Sequence, residues 1–78
     1  LSEKLNISKM IMPERIVGKT VLEANLRGRF GVNIIAVESE GRLIETITPD
    51  YTFKKGDIAY ISGSKDGLNK LSDWNGKA

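Results

Sequence analysis

Three side chains in the first half of the sequence, Arg27, Arg29 and Asn33, are of types that bind anions or purines. Arginine carries a permanent charge on a planar group with several N–H donors, which suits phosphate. Asparagine is depleted in strand interiors, yet Asn33 opens the most apolar segment of the chain, and its amide can both donate to and accept from a purine edge. Two interpretations stay open: an anion-binding site, or a surface arginine pair with an asparagine tied to its own turn.

Two glycine-containing segments resemble nucleotide-binding motifs but lack the required spacing. Gly-Lys-Thr at residues 18–20 matches the end of a P-loop, but Pro13 stands where the first glycine of that motif is needed. Gly28 and Gly31 do not fit the GxGxxG fingerprint of dinucleotide-binding folds, and no strand precedes them. We interpret the first segment as a turn followed by a helix cap, and the second as a helix terminus.

The composition argues against catalysis. The 78 residues include no cysteine and no histidine, so the usual general base, the thiolate nucleophile and the commonest metal ligands are missing. The carboxylates, such as Asp50 and Asp57, stand singly at turns, where aspartate commonly binds local backbone. We therefore predict a small non-enzymatic domain without a metal site.

The charge distribution allows one anionic ligand but not a nucleic-acid duplex. The net charge is +2, and six basic but only three acidic residues precede Val37. This bias is far weaker than the basic stripe of a duplex-binding protein. No run approaches 18 apolar residues, as a membrane-spanning helix requires, and residues 1–4 do not resemble a signal peptide. We expect a domain of a longer cytosolic protein.

Turn and cap signals divide the chain into elements. Thr20 and Glu23 form a capping-box pattern, which predicts one helix that ends at Gly28 or Gly31. The helix would place three apolar residues on one side: Val21, Leu22 and Leu26. A last helix is predicted after Gly63-Ser64, with a buried stripe of Leu68, Leu71 and Trp74. Strands are predicted at Leu5–Met12, Val32–Glu38, Arg42–Thr48 and Asp57–Ser62.

The order β-α-β-β-β-α predicts an α+β domain with a small antiparallel sheet and two helices. Strict alternation would place Val32, Ile34 and Ala36 on one face of their strand and Asn33, Ile35 and Val37 on the other. Because both faces of this strand are apolar and two short helices cover one face of a sheet, the other face needs a cover. A second copy of the chain is the simplest candidate, and the alternative is that loops cover it.

Several segments, taken in order, resemble the TrkA-C (RCK C-terminal) family, and most closely the gating subunits of Ktr-type potassium uptake systems. The resemblance covers about residues 10–71 and is carried by Ile16–Arg27, Phe30–Val37, Thr48–Asp50, Phe53–Asp57 and Ile61–Gly63. It implies a regulatory domain at residues 10–74, with the end of a linker and the start of the first strand at residues 1–9 and a tail at 75–78.

The resemblance also implies a ligand and partners. Family members of this branch pair as homodimers and bind cyclic di-AMP between the two copies. They follow a nucleotide-binding Rossmann domain, so ATP or NAD is expected only in an N-terminal domain and no cofactor in this one. The full-length protein is expected in the cytoplasm, attached to a potassium-translocating membrane subunit, with no nucleic acid as partner.

Carried over to this sequence, the resemblance assigns the ligand contacts to Arg27 and Asn33. It assigns apolar walls to Val21, Leu26, Ile34 and Pro49. Some members add a ligand contact from a histidine in the hairpin. This chain has no histidine, and Arg42 lies near that place. Either Arg42 replaces the contact, or the contact is lost. Two other functions stay open: a dimerisation module that binds no ligand, and a small nucleic-acid-binding domain.

Overall fold

Four antiparallel strands form one sheet, and three short helices pack on one of its faces. The computed structural model describes residues 5–76. Its sheet has the order β1-β4-β2-β3, with every neighbouring pair antiparallel. The elements are β1 (Asn6–Ile11), α1 (Val21–Ala24), α2 (Leu26–Phe30), β2 (Asn33–Ser39), β3 (Arg42–Ile44), β4 (Ile58–Gly63) and α3 (Lys65–Asn75). The predicted α+β class with an antiparallel sheet is confirmed.

The core lies between this sheet and the helices. Val37, Ala59 and Ile61 of the sheet are buried together with Leu26 of α2 and Leu71 of α3. The predicted stripe of α3 is confirmed, since Leu71 is buried and its neighbours Leu68 and Trp74 pack against the core. The residues 1–4 of the predicted linker and residues 77–78 of the predicted tail lie outside the described residues.

The predicted single helix after Thr20 is wrong, because the chain breaks it into α1 and α2 at Asn25. This residue adopts the left-handed conformation (φ 47°, ψ 45°) and is both the C-cap of α1 and the N-cap of α2. Asparagine tolerates this conformation better than other residues with a Cβ. The break turns Leu22 outward, with 73% of its surface exposed, whereas Leu26 stays buried at 3%.

The strand predicted for Arg42–Thr48 ends at Ile44 instead. The hairpin turn before it is as predicted, with Glu40 (φ 51°) and Gly41 (φ 77°) both left-handed, as a two-residue turn between twisted strands requires. The chain then leaves the sheet because residues 49–53 pair with residues 18–22. Leu22 donates its N–H to the Pro49 carbonyl at 3.0 Å, and an isolated bridge joins Thr20 to Thr52.

The strict alternation predicted for β2 is also wrong. The register between β2 and β4 shifts between Ile34 and Ala36, so Ile35 is an extra residue, a β-bulge. Ile35 is 42% exposed, while Ala36 and Val37 are both buried. Beyond the bulge, Val37 therefore shares the core face with Ile34 rather than opposing it.

The face of the sheet opposite the helices is apolar and open. Ile7, Ile11 and Leu43 are 62%, 65% and 55% exposed. The interpretation that loops cover this face is thus wrong for residues 5–76, and its cover by a second copy stays a prediction. Within the same part of the chain, no helix has the length and apolar character needed to cross a membrane.

The helix break gives a matched pair of stability predictions. Leu26→Ala should lower the free energy of unfolding by about 2–5 kcal/mol because it opens a cavity in the core. Leu22→Ala should change it by less than about 0.5 kcal/mol because that side chain is exposed. Urea unfolding followed by circular dichroism measures both, and equal losses would contradict the break at Asn25.

Candidate functional site

A cleft of about 360 Å³ opens between the helix pair α1–α2, the start of β2 and the segment that follows β3. It brings together six of the seven side chains assigned by the sequence, and four further residues complete it. The six are Val21, Leu26, Arg27, Asn33, Ile34 and Pro49, and the four are Leu22, Asn25, Val32 and Ile47.

The position of Arg27 follows from the cap between the two helices. The Gly28 N–H donates to the Asn25 side-chain oxygen at 3.2 Å, which caps α2 one residue after α1 has ended. The cap is compatible only with glycine at position 28, since an added Cβ would lie 2.5 Å from that oxygen. Asn25 and Gly28 therefore set the direction of α2, and Arg27 is its second residue.

The two arginines of α2 have different surroundings. The Arg29 guanidinium lies 4.5 Å from the ring centroid of Trp74 and 5.2 Å from that of Phe30, so it stacks on the aromatic contact between α2 and α3. Arg27 is exposed, and no carboxylate of residues 5–76 forms an ion pair with it. Arg27 is therefore the cation that the cleft can offer to an anionic group.

The Asn33 amide is not tied to its own turn by a hydrogen bond within residues 5–76. Its side chain is exposed at the start of β2 and forms no hydrogen bond with the described part of the chain. Its backbone is held by the pairing with Ser62 of β4. The amide thus has donor and acceptor capacity on a fixed strand, beside the apolar walls formed by Ile34 and Val32.

The α1 helix forms the wall of the cleft opposite β2, and hydrogen bonds cap the N-terminus of this helix. The Glu23 N–H donates to the Thr20 hydroxyl at 3.1 Å, and the Thr20 N–H donates to the Glu23 carboxylate at 2.9 Å. This is the predicted capping box, and it is confirmed. Hydrogen bonds from the backbone and side chain of Thr20 lower the pKa of Glu23 below its usual value.

Arg42 lies outside this cleft. It is the first residue of β3, just after the hairpin turn, and it lines a separate concavity with Glu40, Leu43 and Lys54. Its contact with a ligand stays a prediction. The glycine-lysine-threonine segment behaves as interpreted from the sequence, since Gly18 (φ 88°) forms a turn ahead of the Thr20 cap.

Sequence reasoning did not assign four of the cleft residues to the site: Leu22, Asn25, Val32 and Ile47. Asn25 carried a signal, because an asparagine directly before Leu26 and three residues before Gly28 fits an N-cap. No local sequence pattern assigns Leu22 or Ile47 to the site, because their places depend on the helix break and on the early end of β3.

This arrangement, an apolar cleft with one arginine and one amide, is typical of a small ligand-binding domain. A model of the TrkA-C domain family matches residues 10–76, and the chain belongs to that family. It is a regulatory domain and not an enzyme, as the composition predicts.

Curated relatives are potassium-transport proteins. Over 71 residues the chain is 24% identical to the Ktr system potassium uptake protein C of Bacillus subtilis, covering 91% of the chain and 32% of that protein. Over 73 residues it is 25% identical to the probable potassium channel protein 2 of Methanocaldococcus jannaschii, covering 91% and 21%. The chain thus spans a third or less of the length of these relatives.

Solved structures share the fold. The RCK C domain of the potassium transport protein KtrA, in complex with cyclic di-AMP, superposes with a TM-score of 0.84 at 24% identity, over 90% of this chain and 82% of that one. The RCK_C domain dimer of Streptococcus agalactiae BusR, also in complex with cyclic di-AMP, has a TM-score of 0.77 at 26% identity, over 87% and 92%. A longer BusR chain is known bound to promoter DNA, so the predicted absence of a nucleic-acid partner stays a prediction.

The capping box predicts the stability of the α1 wall. Thr20→Ala should lower the free energy of unfolding by about 1 kcal/mol because the Glu23 N–H loses its acceptor. Thr52→Ala is the matched control, since the Thr52 side chain is exposed and forms no hydrogen bond within residues 5–76. Urea unfolding at neutral pH compares the variants, and equal values for the two would count against the cap.

The same box predicts a pH dependence. Because the pKa of Glu23 is lowered on folding, its contribution is present above the usual value of 4.5 and is lost as the pH falls through the folded pKa. Glu23→Gln keeps a side-chain acceptor for the Thr20 N–H but does not titrate, so the difference in unfolding free energy between the parent and Glu23→Gln should shrink as the pH falls below that value. A difference that stays constant or grows towards acid pH would contradict this assignment.

Proposed function

We propose that this chain is the regulatory ligand-binding domain of a potassium-transport gating subunit, that two copies pair, and that cyclic di-AMP binds between them in the cleft. The observation that carries the proposal is the convergence of Arg27 and Asn33 with four apolar residues in one cleft. A cleft of about 360 Å³ lies at the small end of the range for ligand pockets, which suits half of a two-fold symmetric ligand.

The chemistry of the ligand matches the residues. Cyclic di-AMP carries two phosphates and two adenines related by two-fold symmetry, so a pair of identical clefts offers each half the same groups. Arg27, which has no carboxylate partner in residues 5–76, would face a phosphate. An adenine would pack on Val21, Leu26, Ile34 and Pro49, with the Asn33 amide at the base edge.

A second copy is supported by the exposed apolar surface at the cleft. Leu22 lines the cleft and yet is 73% exposed, so an apolar side chain stands at the rim where a partner would cover it. The BusR domain, at 26% identity, is a dimer in complex with cyclic di-AMP. We therefore propose a homodimer with the two clefts facing one another.

Regulation would follow from differential binding. A ligand held between two copies stabilises the arrangement that fits it, and it changes gating only insofar as it prefers that arrangement over others. In this proposal the full-length protein is cytoplasmic, contacts a potassium-translocating membrane subunit, and binds ATP or NAD in a separate N-terminal domain. The domain itself needs no cofactor.

The central prediction concerns Arg27. Arg27→Ala should weaken cyclic di-AMP binding by about tenfold or more, because a charge-assisted contact to phosphate is lost. Arg29→Ala is the matched control: it removes the same charge from the same helix, but that guanidinium stacks on Trp74. Isothermal titration calorimetry measures both affinities, with the smaller loss expected for Arg29→Ala.

Two outcomes would reject this proposal. Unchanged affinity of Arg27→Ala would show that the ligand lies elsewhere. If the parent chain shows no heat of binding and no thermal shift with saturating cyclic di-AMP, where a ligand at about 100 Kd adds about 2.7 kcal/mol, the chain is a dimerisation module without this ligand.

A further inference from the structure

A buried carboxylate lies in the turn before β4, outside the cleft lining. Asp57, in the turn before β4, is 1% exposed. One of its oxygens, Oδ2, accepts a hydrogen bond from the Tyr51 hydroxyl at 2.6 Å and another from the Lys54 N–H at 2.9 Å. Burying a carboxylate costs free energy unless such donors satisfy it, so Asp57 is an unusual residue for a core position.

Asp57 is itself fixed to the sheet. Its carbonyl accepts the Met12 N–H at 2.9 Å, directly after β1, and its N–H donates to the Lys54 carbonyl at 3.1 Å. The next residue, Ile58, begins β4 and pairs with Ile11 of β1. The carboxylate is therefore a rigid anchor, and whatever binds to it is tied to the centre of the fold.

Tyr51 connects this anchor to the cleft. Its ring packs edge-on against buried Phe53, with centroids 5.6 Å apart. Its carbonyl accepts the Val21 N–H at 2.9 Å, and the carbonyl of Pro49 accepts the Leu22 N–H at 3.0 Å. Tyr51 is part of the Pro49 segment, which these backbone hydrogen bonds join to α1, and its hydroxyl ties both cleft walls to the buried anchor.

We infer that the Tyr51–Asp57 hydrogen bond holds the Pro49 segment, together with the α1 helix paired to it, in a fixed position against the sheet, which makes Tyr51 and Asp57 positioning residues for the ligand. Neither residue lines the cleft, so their effect on binding is indirect. The inference rests on the proposed function for the identity of the ligand, but the positioning of the two walls stands on the hydrogen bonds alone.

The local polarity supports a positioning role. The second oxygen of Asp57, Oδ1, accepts no hydrogen bond from the described residues, so Oδ2 is the atom that accepts the Tyr51 hydroxyl and the Lys54 N–H. A group that served stability alone would be replaced well by an apolar residue, whereas a carboxylate fixes the direction of the Tyr51 hydroxyl. Burial and the hydrogen bond to Asp57 both raise the pKa of Tyr51, which keeps the hydroxyl protonated as the donor.

The test is Tyr51→Phe, which removes only the hydroxyl. Tyr60→Phe is the matched control, because the Tyr60 ring is half-buried on the other face of the sheet and its hydroxyl forms no hydrogen bond within residues 5–76. Amide hydrogen exchange by NMR reports the cleft walls at Val21 and Leu22 and the sheet at Ile61. Calorimetry with cyclic di-AMP reports the affinity.

In Tyr51→Phe we expect the Val21 and Leu22 amides to exchange about tenfold faster while that of Ile61 changes far less, as local opening requires. Cyclic di-AMP should bind about threefold to tenfold more weakly, and Tyr60→Phe should match the parent chain in both measurements. If Tyr51→Phe does not fold, Asp57→Asn, which keeps the side-chain volume but removes the charge, is measured in the same way, with a smaller shift in the same direction.

The outcomes separate the two proposals. Unchanged amide exchange at Val21 and Leu22 overturns the positioning role, because it shows that the Tyr51 hydroxyl does not hold the cleft walls. Equally faster exchange at Ile61 also overturns it, because it shows a global loss of stability. Unchanged affinity alongside faster local exchange overturns the link to the ligand. If the parent chain fails to bind cyclic di-AMP, the proposed function fails, while the exchange pattern still decides whether Tyr51 and Asp57 position the walls.

Discussion

The backbone pairing between residues 18–22 and 49–53 is the constraint on which the site depends. Val21 and Leu22 would begin α1 with unsatisfied N–H groups, as every helix does, and the carbonyls of Tyr51 and Pro49 accept them. The same pairing draws the chain out of the sheet after Ile44, so that β3 is short and Pro49 lies against α1. One set of hydrogen bonds thus ends a strand, starts a helix and opens a cleft between them.

The second constraint is the change of direction at Asn25. Arg27 and Arg29 are two positions apart on α2, so helix geometry directs their side chains to nearly opposite sides of that helix. The left-handed cap at Asn25 sets the direction of α2, which places Arg27 at the cleft and Arg29 on the aromatic contact with Trp74. Arg29 therefore contributes to packing, whereas Arg27 forms no ion pair within residues 5–76.

The helices cover one face of the sheet and leave apolar side chains exposed on the other, and this suits a regulatory role. Its apolar outer face and the exposed Leu22 at the cleft rim both provide surface that further protein can cover. A ligand bound at such a boundary shares contacts with whatever lies across it. Its binding free energy can then favour one arrangement of the assembly, which is all that control of a transporter requires.

The sequence by itself determined the fold class, the capping box, the hairpin turn and six residues of the cleft, because these depend on short-range patterns and on the family resemblance. It did not determine the break at Asn25, the bulge at Ile35 or the end of β3 at Ile44. Alternation continues through Ile35 and Ile44, and only pairing with distant segments interrupts it. The break at Asn25 depends on a local cap to Gly28 that competes with a continuous helix. The exposure of Leu22 and the tie from Asp57 through Tyr51 to α1 were likewise decided by tertiary structure, since they join residues whose proximity no local pattern encodes.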